Sequence, residues 1–256
     1  MSGRSPRVAA VTFDAGQTLI DLDTDLLAAR LGERGVTVPA PALAASAPAA
    51  WRTYDAAVAA GAGHPWRTLM SALLQGAAPA LASEARVELV EWLWREQPRR
   101  NLWRRPIPGM FELAASLRAS GVAVAVLSNS EGRLAELFAE LGWAERFAVI
   151  ADSGRLGIEK PDPRIFEWTL RQLGVDAADA VHLGDSWPAD VEGALGAGLR
   201  AIWFGRQAQA VTPRGGAALA GRVATARDAA EVAAALAAWG AGAPGVRATT
   251  PPCPTR

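Results

Sequence analysis

The chain has 256 residues, half of them hydrophobic and a fifth charged, and its 26 basic and 26 acidic side chains cancel to a formal net charge of zero. That length holds one large domain or a domain plus an insert, and the charge balance gives no electrostatic case for nucleic acid or an anionic membrane as partner. No membrane span or signal peptide is expected, and the single cysteine, Cys253, excludes an internal disulfide, so the expected compartment is a reducing cytoplasm.

In chain order, residues 8–13 form an apolar strand that ends on Asp14. Residues 24–34, 41–60, 66–74 and 83–96 then read as helices. This is too long for one crossover and predicts a helical cap inserted after the first strand. Residues 99–108, RRNLWRRPIP, are polar and proline-bearing and predict the return linker. Apolar, β-rich runs follow at 122–127, 147–150, 180–183 and 199–204. Between them, 132–141 (Leu134, Leu137, Phe138, Leu141) and 163–173 (Ile165, Phe166, Leu170, Leu173) carry the helical period. Residues 189–197 read as a small-residue helix closed by Gly198. Alternating strands and helices predict an α/β fold, a Rossmann-like parallel sheet with helices on both faces plus an inserted α-helical cap. The expected core is 1–20 and 104–240, and the cap is 21–103. Residues 241–256 read as a disordered Pro-rich tail.

Four stretches fall where strands give way to loops or helices begin, so they should meet at the carboxyl edge of the sheet, where open α/β sheets bind ligands. They are FDAGQTL with Asp14 and Thr18, VLSNSEG with Ser128 and Asn129, GIEKPDPRIF with Lys160, and HLGDSWPADVEGA with Asp185 and Asp190. An acid pair suits a hard cation such as Mg²⁺, which takes one or two carboxylates with phosphate oxygens and water. A hydroxyl and an amide suit anion oxygens, and an ammonium acts as a point charge. Lys160 is the only lysine, every other basic residue being arginine. Taken singly, each stretch reads as a turn or a helix cap. Their joint order favours a single site.

In these motifs and in the cap position, residues 7–204 resemble the haloacid dehalogenase superfamily, in the branch whose helical cap follows the first motif. EKPDPRIF and LGDSWPADVEGALGAG carry the most specific part. The resemblance implies that Asp14 is a nucleophile forming an aspartyl-phosphate, that Ser128 and Asn129 bind phosphoryl oxygens, and that Lys160 stabilises nucleophile and transferred group. Thr18 is set with them on the substrate side. It also implies Mg²⁺ held by Asp14, Asp185 and the carbonyl of Gly16, with Asp190 in support. The implied activity is Mg²⁺-dependent hydrolysis of a small phosphorylated metabolite.

The departure is Gly16, where family phosphatases usually carry a second Asp that protonates the leaving oxygen and later activates water. Glycine keeps the carbonyl and deletes the acid. Gln17 stands where the family often has Gly, and Asp21 is the candidate substitute acid in DLDTD, a segment otherwise read as the start of the cap and its first helix cap. Phosphonoacetaldehyde-cleaving relatives need a cap lysine, which this chain lacks. The GDS carboxylate separates the chain from the dehalogenases, whose fourth motif resembles S-x-N-x-x-D.

Among the remaining candidates, His182 reads as a core histidine and His64 as a loop or cap residue. Trp51, Trp66, Trp92, Trp94 and Trp103 read as helix packing, with one or two open to the substrate side. Arg52 and Arg67 are candidate anion contacts. The alternative function is a catalytically degenerate member that binds a phosphorylated ligand or a protein partner.

Overall fold

The computed structural model of the chain describes residues 7–62, 65–205, 219 and 221–241. His64, Cys253 and the tail beyond residue 241 lie outside the described residues. In chain order the elements are β1 (Ala10–Phe13), β2 (Ile20–Leu22), α1 (Thr24–Gly32), α2 (Ala40–Ala59), α3 (Trp66–Ala77), α4 (Ser83–Glu96), β3 (Trp103–Pro106), α5 (Met110–Ala119), β4 (Ala123–Ser128), α6 (Leu134–Glu140), β5 (Val149–Asp152), α7 (Ser153–Leu156), α8 (Pro163–Leu173), β6 (Ala180–Gly184), α9 (Gly193–Gly196), β7 (Arg200–Phe204), β8 (Val223–Ala226) and α10 (Ala229–Ala238). A π-helical turn, Trp187–Glu192, precedes α9.

Among the described residues the main sheet has six strands in the order β5-β4-β1-β6-β7-β8, with every neighbouring pair parallel. Strand β1 runs between β4 and β6, and its Ala10, Val11 and Phe13 are fully buried. A parallel strand covered on both faces reads as a continuous apolar run, which is why AVTF shows no alternation. The strand order reverses at β1, and such a switch point opens a crevice at the carboxyl ends of the strands. Asp14 stands there, beside the ends of β4 and β6.

The helix behind the third motif shows how sequence builds the frame. Asp162 caps α8 by accepting from the Arg164 amide, Pro163 opens the helix, and Gly174 closes it in the left-handed conformation at φ +65°. Its Ile165, Phe166, Thr169 and Leu170 are buried. Ile165, Phe166 and Leu170 pack into the core with Leu127, Val191 and Trp203.

The chain divides into two compact units, Leu22–Arg105 and the remainder. Within the Leu22–Arg105 unit, Asp23 caps α1 by accepting from the Asp25 and Leu26 amides at 3.0 and 2.9 Å. The tryptophans pack on one another: Trp66 lies 5.3 Å from Trp94 and 6.4 Å from Trp103, and Trp51 6.4 Å from Trp103. The buried Arg30 guanidinium lies 4.2 Å over the Trp92 ring. No helix among the described residues is long and apolar enough to cross a membrane.

Three features differ from expectation. The return linker contains β3, which pairs with β2 in a separate two-stranded sheet. Strand β8 adds an edge to the main sheet. The expected helix over 189–197 is instead the π turn followed by one turn of α9.

Candidate active site

Asp14 is placed by backbone pairing. Its amide donates to the Leu183 carbonyl at 2.8 Å, continuing the β1–β6 register past the end of β1. One carboxylate oxygen, Oδ1, accepts from the Ser128 hydroxyl at 2.9 Å and from Lys160 Nζ at 2.6 Å. Ser128 ends β4, so its hydroxyl meets the residue that directly follows the adjacent β1. Lys160 Nζ also donates to the Leu127 carbonyl at 3.0 Å and to Asp190 Oδ1 at 2.6 Å. The three donors of the ammonium thus meet three acceptors in a pocket where the lysine is only 4% exposed.

Asn129 braces the backbone of Lys160. Its amide accepts from the Lys160 amide at 2.8 Å and donates to the Lys160 carbonyl at 3.0 Å. Both ends of this side chain therefore hold the lysine's backbone. Thr18 lies in the turn after Asp14. It is fully enclosed, and its hydroxyl has no hydrogen-bond partner among the described residues.

The fourth motif supplies two acids. Asp185 follows β6, and its carbonyl accepts from Trp203 Nε1 at 2.9 Å. Asp190 sits in the π turn, a type of irregularity frequent at functional sites. The Ser186 amide donates to its Oδ2 at 2.9 Å. Gly184 leaves room for that carboxylate, since an added Cβ would lie 2.2 Å from Asp190 Cγ. His182 Nε2 lies 3.1 Å from Asp190 Oδ1. In sequence His182 reads as a core histidine; its contact with Asp190 arises where the π turn folds back over β6.

The site gathers negative charge around one ammonium. Burial, helped by the Asp190 charge, lifts the Asp14 carboxyl above its ordinary range against the pull of Lys160. Burial also works against Asp190, but Lys160 and His182 hold it well below that range. Lys160 is held above the usual lysine value by Asp14 and Asp190, despite its own desolvation. Asp14, Asp185 and Asp190 each bring a carboxylate oxygen to a common spot where all three lie within 4.8 Å of one another. Three carboxylates face one ammonium, and a dication fits such an oxygen donor set.

The turn after Asp14 closes through Gln17 N to Ile20 O at 2.7 Å and Ile20 N to Ala15 O at 2.9 Å. The Gly16 carbonyl takes no part in these bonds. Gln17, not Gly16, occupies the left-handed region, at φ +59°, and its Nε2 donates to Asp21 Oδ1 at 2.7 Å. A non-glycine residue there costs about 1–2 kcal/mol, and a side-chain hydrogen bond returns about 1 kcal/mol. Gln17→Gly is therefore expected to leave unfolding free energy within about 1 kcal/mol of wild type, as measured by urea melts. A loss well above 2 kcal/mol would show that the Gln17–Asp21 link holds the turn.

Arg52 and Arg67 belong to the Leu22–Arg105 unit. Arg67 pairs with Glu91 at 2.6 Å, so its charge is already matched on the surface.

The model of the haloacid dehalogenase-like hydrolase family matches residues 8–198. The chain belongs to this family. The chain is 38% identical over 132 residues to a phosphoserine phosphatase of Thermus thermophilus, covering 51% of this chain and 50% of the relative. It is 32% identical over 111 residues to an N-acetylmuramic acid 6-phosphate phosphatase of Pseudomonas aeruginosa, covering 43% and 49%. The chain spans half or less of the length of these curated relatives. Among solved structures, a HAD family hydrolase from Deinococcus radiodurans with bound phosphate and sodium is 25% identical with a TM-score of 0.60, covering 94% of this chain and 100% of that one. A Bacillus subtilis HAD-hydrolase bound to magnesium shares the fold at a TM-score of 0.65 and 19% identity, covering 90% and 99%.

Proposed function

We propose that this HAD-like hydrolase is a Mg²⁺-dependent phosphohydrolase of a small phosphorylated metabolite, working through an aspartyl-phosphate on Asp14. The observation that carries the reading is Asp14 itself, buried at the switch point, held by Ser128 and Lys160 and flanked by two further carboxylates. Its relatives named as phosphatases and the neighbour described with bound phosphate support the substrate class.

Asp14 attacks phosphorus, the bond to the leaving oxygen breaks, and water later cleaves the acyl phosphate. Ser128 and Lys160 orient the carboxylate, and Lys160 offsets charge on the transferred group. Asn129 acts by fixing the lysine's backbone. Asp14, Asp185 and the Gly16 carbonyl would hold Mg²⁺, with Asp190 in support. The cation would neutralise charge on the phosphoryl oxygens. The expected compartment is the cytoplasm.

The test is a panel of phosphorylated metabolites assayed with and without Mg²⁺, on wild type and Asp14→Asn. Mg²⁺-dependent phosphate release that disappears in Asp14→Asn supports the reading, and no release from any ester or acyl phosphate overturns it. Gly16 favours one rival, a member that captures a phosphorylated ligand without turnover. Mg²⁺-dependent binding of beryllium fluoride without any hydrolysis would identify that rival.

Asp185→Asn is expected to weaken Mg²⁺ binding by about 10-fold or more while the fold is kept. Calorimetric titration together with far-UV circular dichroism measures both. An unchanged Mg²⁺ affinity would remove Asp185 from the metal site.

A further inference from the structure

His182 lies in the middle of β6 with 0% exposure, and the reaction described above does not use it. Its partner in register is Thr12 on β1, two residues before Asp14. Thr12 Oγ1 lies 2.8 Å from His182 Nδ1, and His182 Nε2 lies 3.1 Å from Asp190 Oδ1, the oxygen that also takes Lys160 at 2.6 Å.

The donor directions follow from chemistry. In its neutral form the imidazole carries one N–H and one lone pair. An ionised Asp190 can only accept. The proton is therefore on Nε2, and Nδ1 accepts from the Thr12 hydroxyl. The Phe166 ring stands edge-on to the imidazole at 5.2 Å and 89°. Phe166 is itself confined, because a Cβ at Gly193 would come within 2.9 Å of it. The imidazole is thus held by hydrogen bonds at both nitrogens and by a ring packed against it.

A histidine retained only to fill the core would not need to address a carboxylate of the site. Asp190 takes Ser186 N on Oδ2, and Lys160 and His182 on Oδ1. Without His182, Oδ1 would be held by Lys160 alone. The carboxylate could then turn and draw the ammonium away from Asp14.

We propose that His182, oriented by Thr12, is a positioning residue for the Asp14 reaction, fixing Asp190 and through it the Lys160 ammonium against the nucleophile. This rests on Asp14 being the nucleophile, as inferred above.

The chain contains two histidines and one lysine, so ¹⁵N NMR can read both partners directly. In wild type the His182 ring should show the Nε2–H tautomer, and the single lysine Nζ should give one exchange-protected ammonium signal. His182→Leu should speed exchange of that signal by about 10-fold or more, and lower kcat on p-nitrophenyl phosphate with Mg²⁺ similarly, with KM within about two-fold. His182→Gln restores a donor near the Nε2 position and should recover kcat to within about three-fold. Thr12→Val keeps the volume, frees the tautomer, and should lower kcat by about three-fold or more.

A wild-type Nδ1–H tautomer would overturn the proposal. So would His182→Leu with wild-type kcat and wild-type Nζ exchange. So would equal losses in His182→Leu and His182→Gln that track a lowered melting temperature. If His182→Leu does not fold, Thr12→Val and the wild-type tautomer decide. If wild type hydrolyses nothing, the phosphohydrolase reading fails in wild type, while the positioning inference is still decided by the Nζ exchange of the variants.

Discussion

Lys160→Arg is expected to lower kcat by about 10²-fold or more, although it keeps the charge and the rest of the chain uses only arginine. The Lys160 ammonium places one donor on each of Asp14 Oδ1, Asp190 Oδ1 and the Leu127 carbonyl, at 2.6, 2.6 and 3.0 Å. A planar guanidinium fork cannot address three acceptors gathered around one point. The backbone cannot retreat to admit the longer side chain, because Asn129 grips the Lys160 amide and carbonyl. Overpacking of this kind costs about 1–3 kcal/mol of stability as well. Steady-state kinetics on an aryl phosphate, with urea melts alongside, measure both effects. Lys160→Met leaves Asp14 and Asp190 without their cation and should cost about 3–5 kcal/mol, part of which Mg²⁺ should restore. Wild-type turnover in Lys160→Arg would reduce the ammonium to a structural detail.

Gly16→Asp is expected to raise turnover of alkyl phosphates by up to about 10²–10⁴-fold, the usual worth of a general acid, and to change aryl phosphate turnover little. An alkoxide needs a proton as it leaves, whereas a phenolate or carboxylate leaves as a stable anion. Wild type should accordingly show a steep dependence of rate on leaving-group pKa. The backbone permits the substitution, because the left-handed position of this turn belongs to Gln17 and Gly16 is partly open to solvent. A melting curve checks that the gain is chemical. If wild type already cleaves alkyl and aryl phosphates equally fast in a chemistry-limited step, another group donates the proton. Asp21, tied to Gln17 Nε2 at 2.7 Å, is then the group to test. Asp21→Asn should in that case abolish the alkyl activity selectively.

Legibility in the sequence followed burial. Strands β1, β4, β5, β6 and β7 announced themselves as apolar runs, because parallel strands packed between helices are covered on both faces. Strand β8 is an edge in which only Ala226 is buried, and VATA carries too little apolar signal to mark it. Strand β3 reads WRRP, and its arginines and proline suit a two-stranded edge better than any strand template. The cap helices emerged from their period, with Ser83–Glu96 matching at both ends. The π turn could not be foreseen, since no residue propensity distinguishes Trp187–Glu192 from an ordinary helix start. Asp14 and Asp185 were visible as acids placed just after strands, and Lys160 and Asp190 as charged residues near helix starts. The neighbours of Asn129 and Thr18 were not, because residue type does not say which backbone an amide holds or whether a hydroxyl is walled in.

The solitary, enclosed Lys160 turns the folded chain into its own chemical stopwatch. Acylating reagents that modify lysine side chains have one such target, and it is 4% exposed and bonded on all sides. Modification of that side chain must therefore wait for the α/β unit to open. Its rate reports the opening equilibrium when reclosing is fast, and the opening rate when the reagent outpaces reclosing. The mass gained at one peptide then measures how often the centre of the protein comes apart, with no engineered probe.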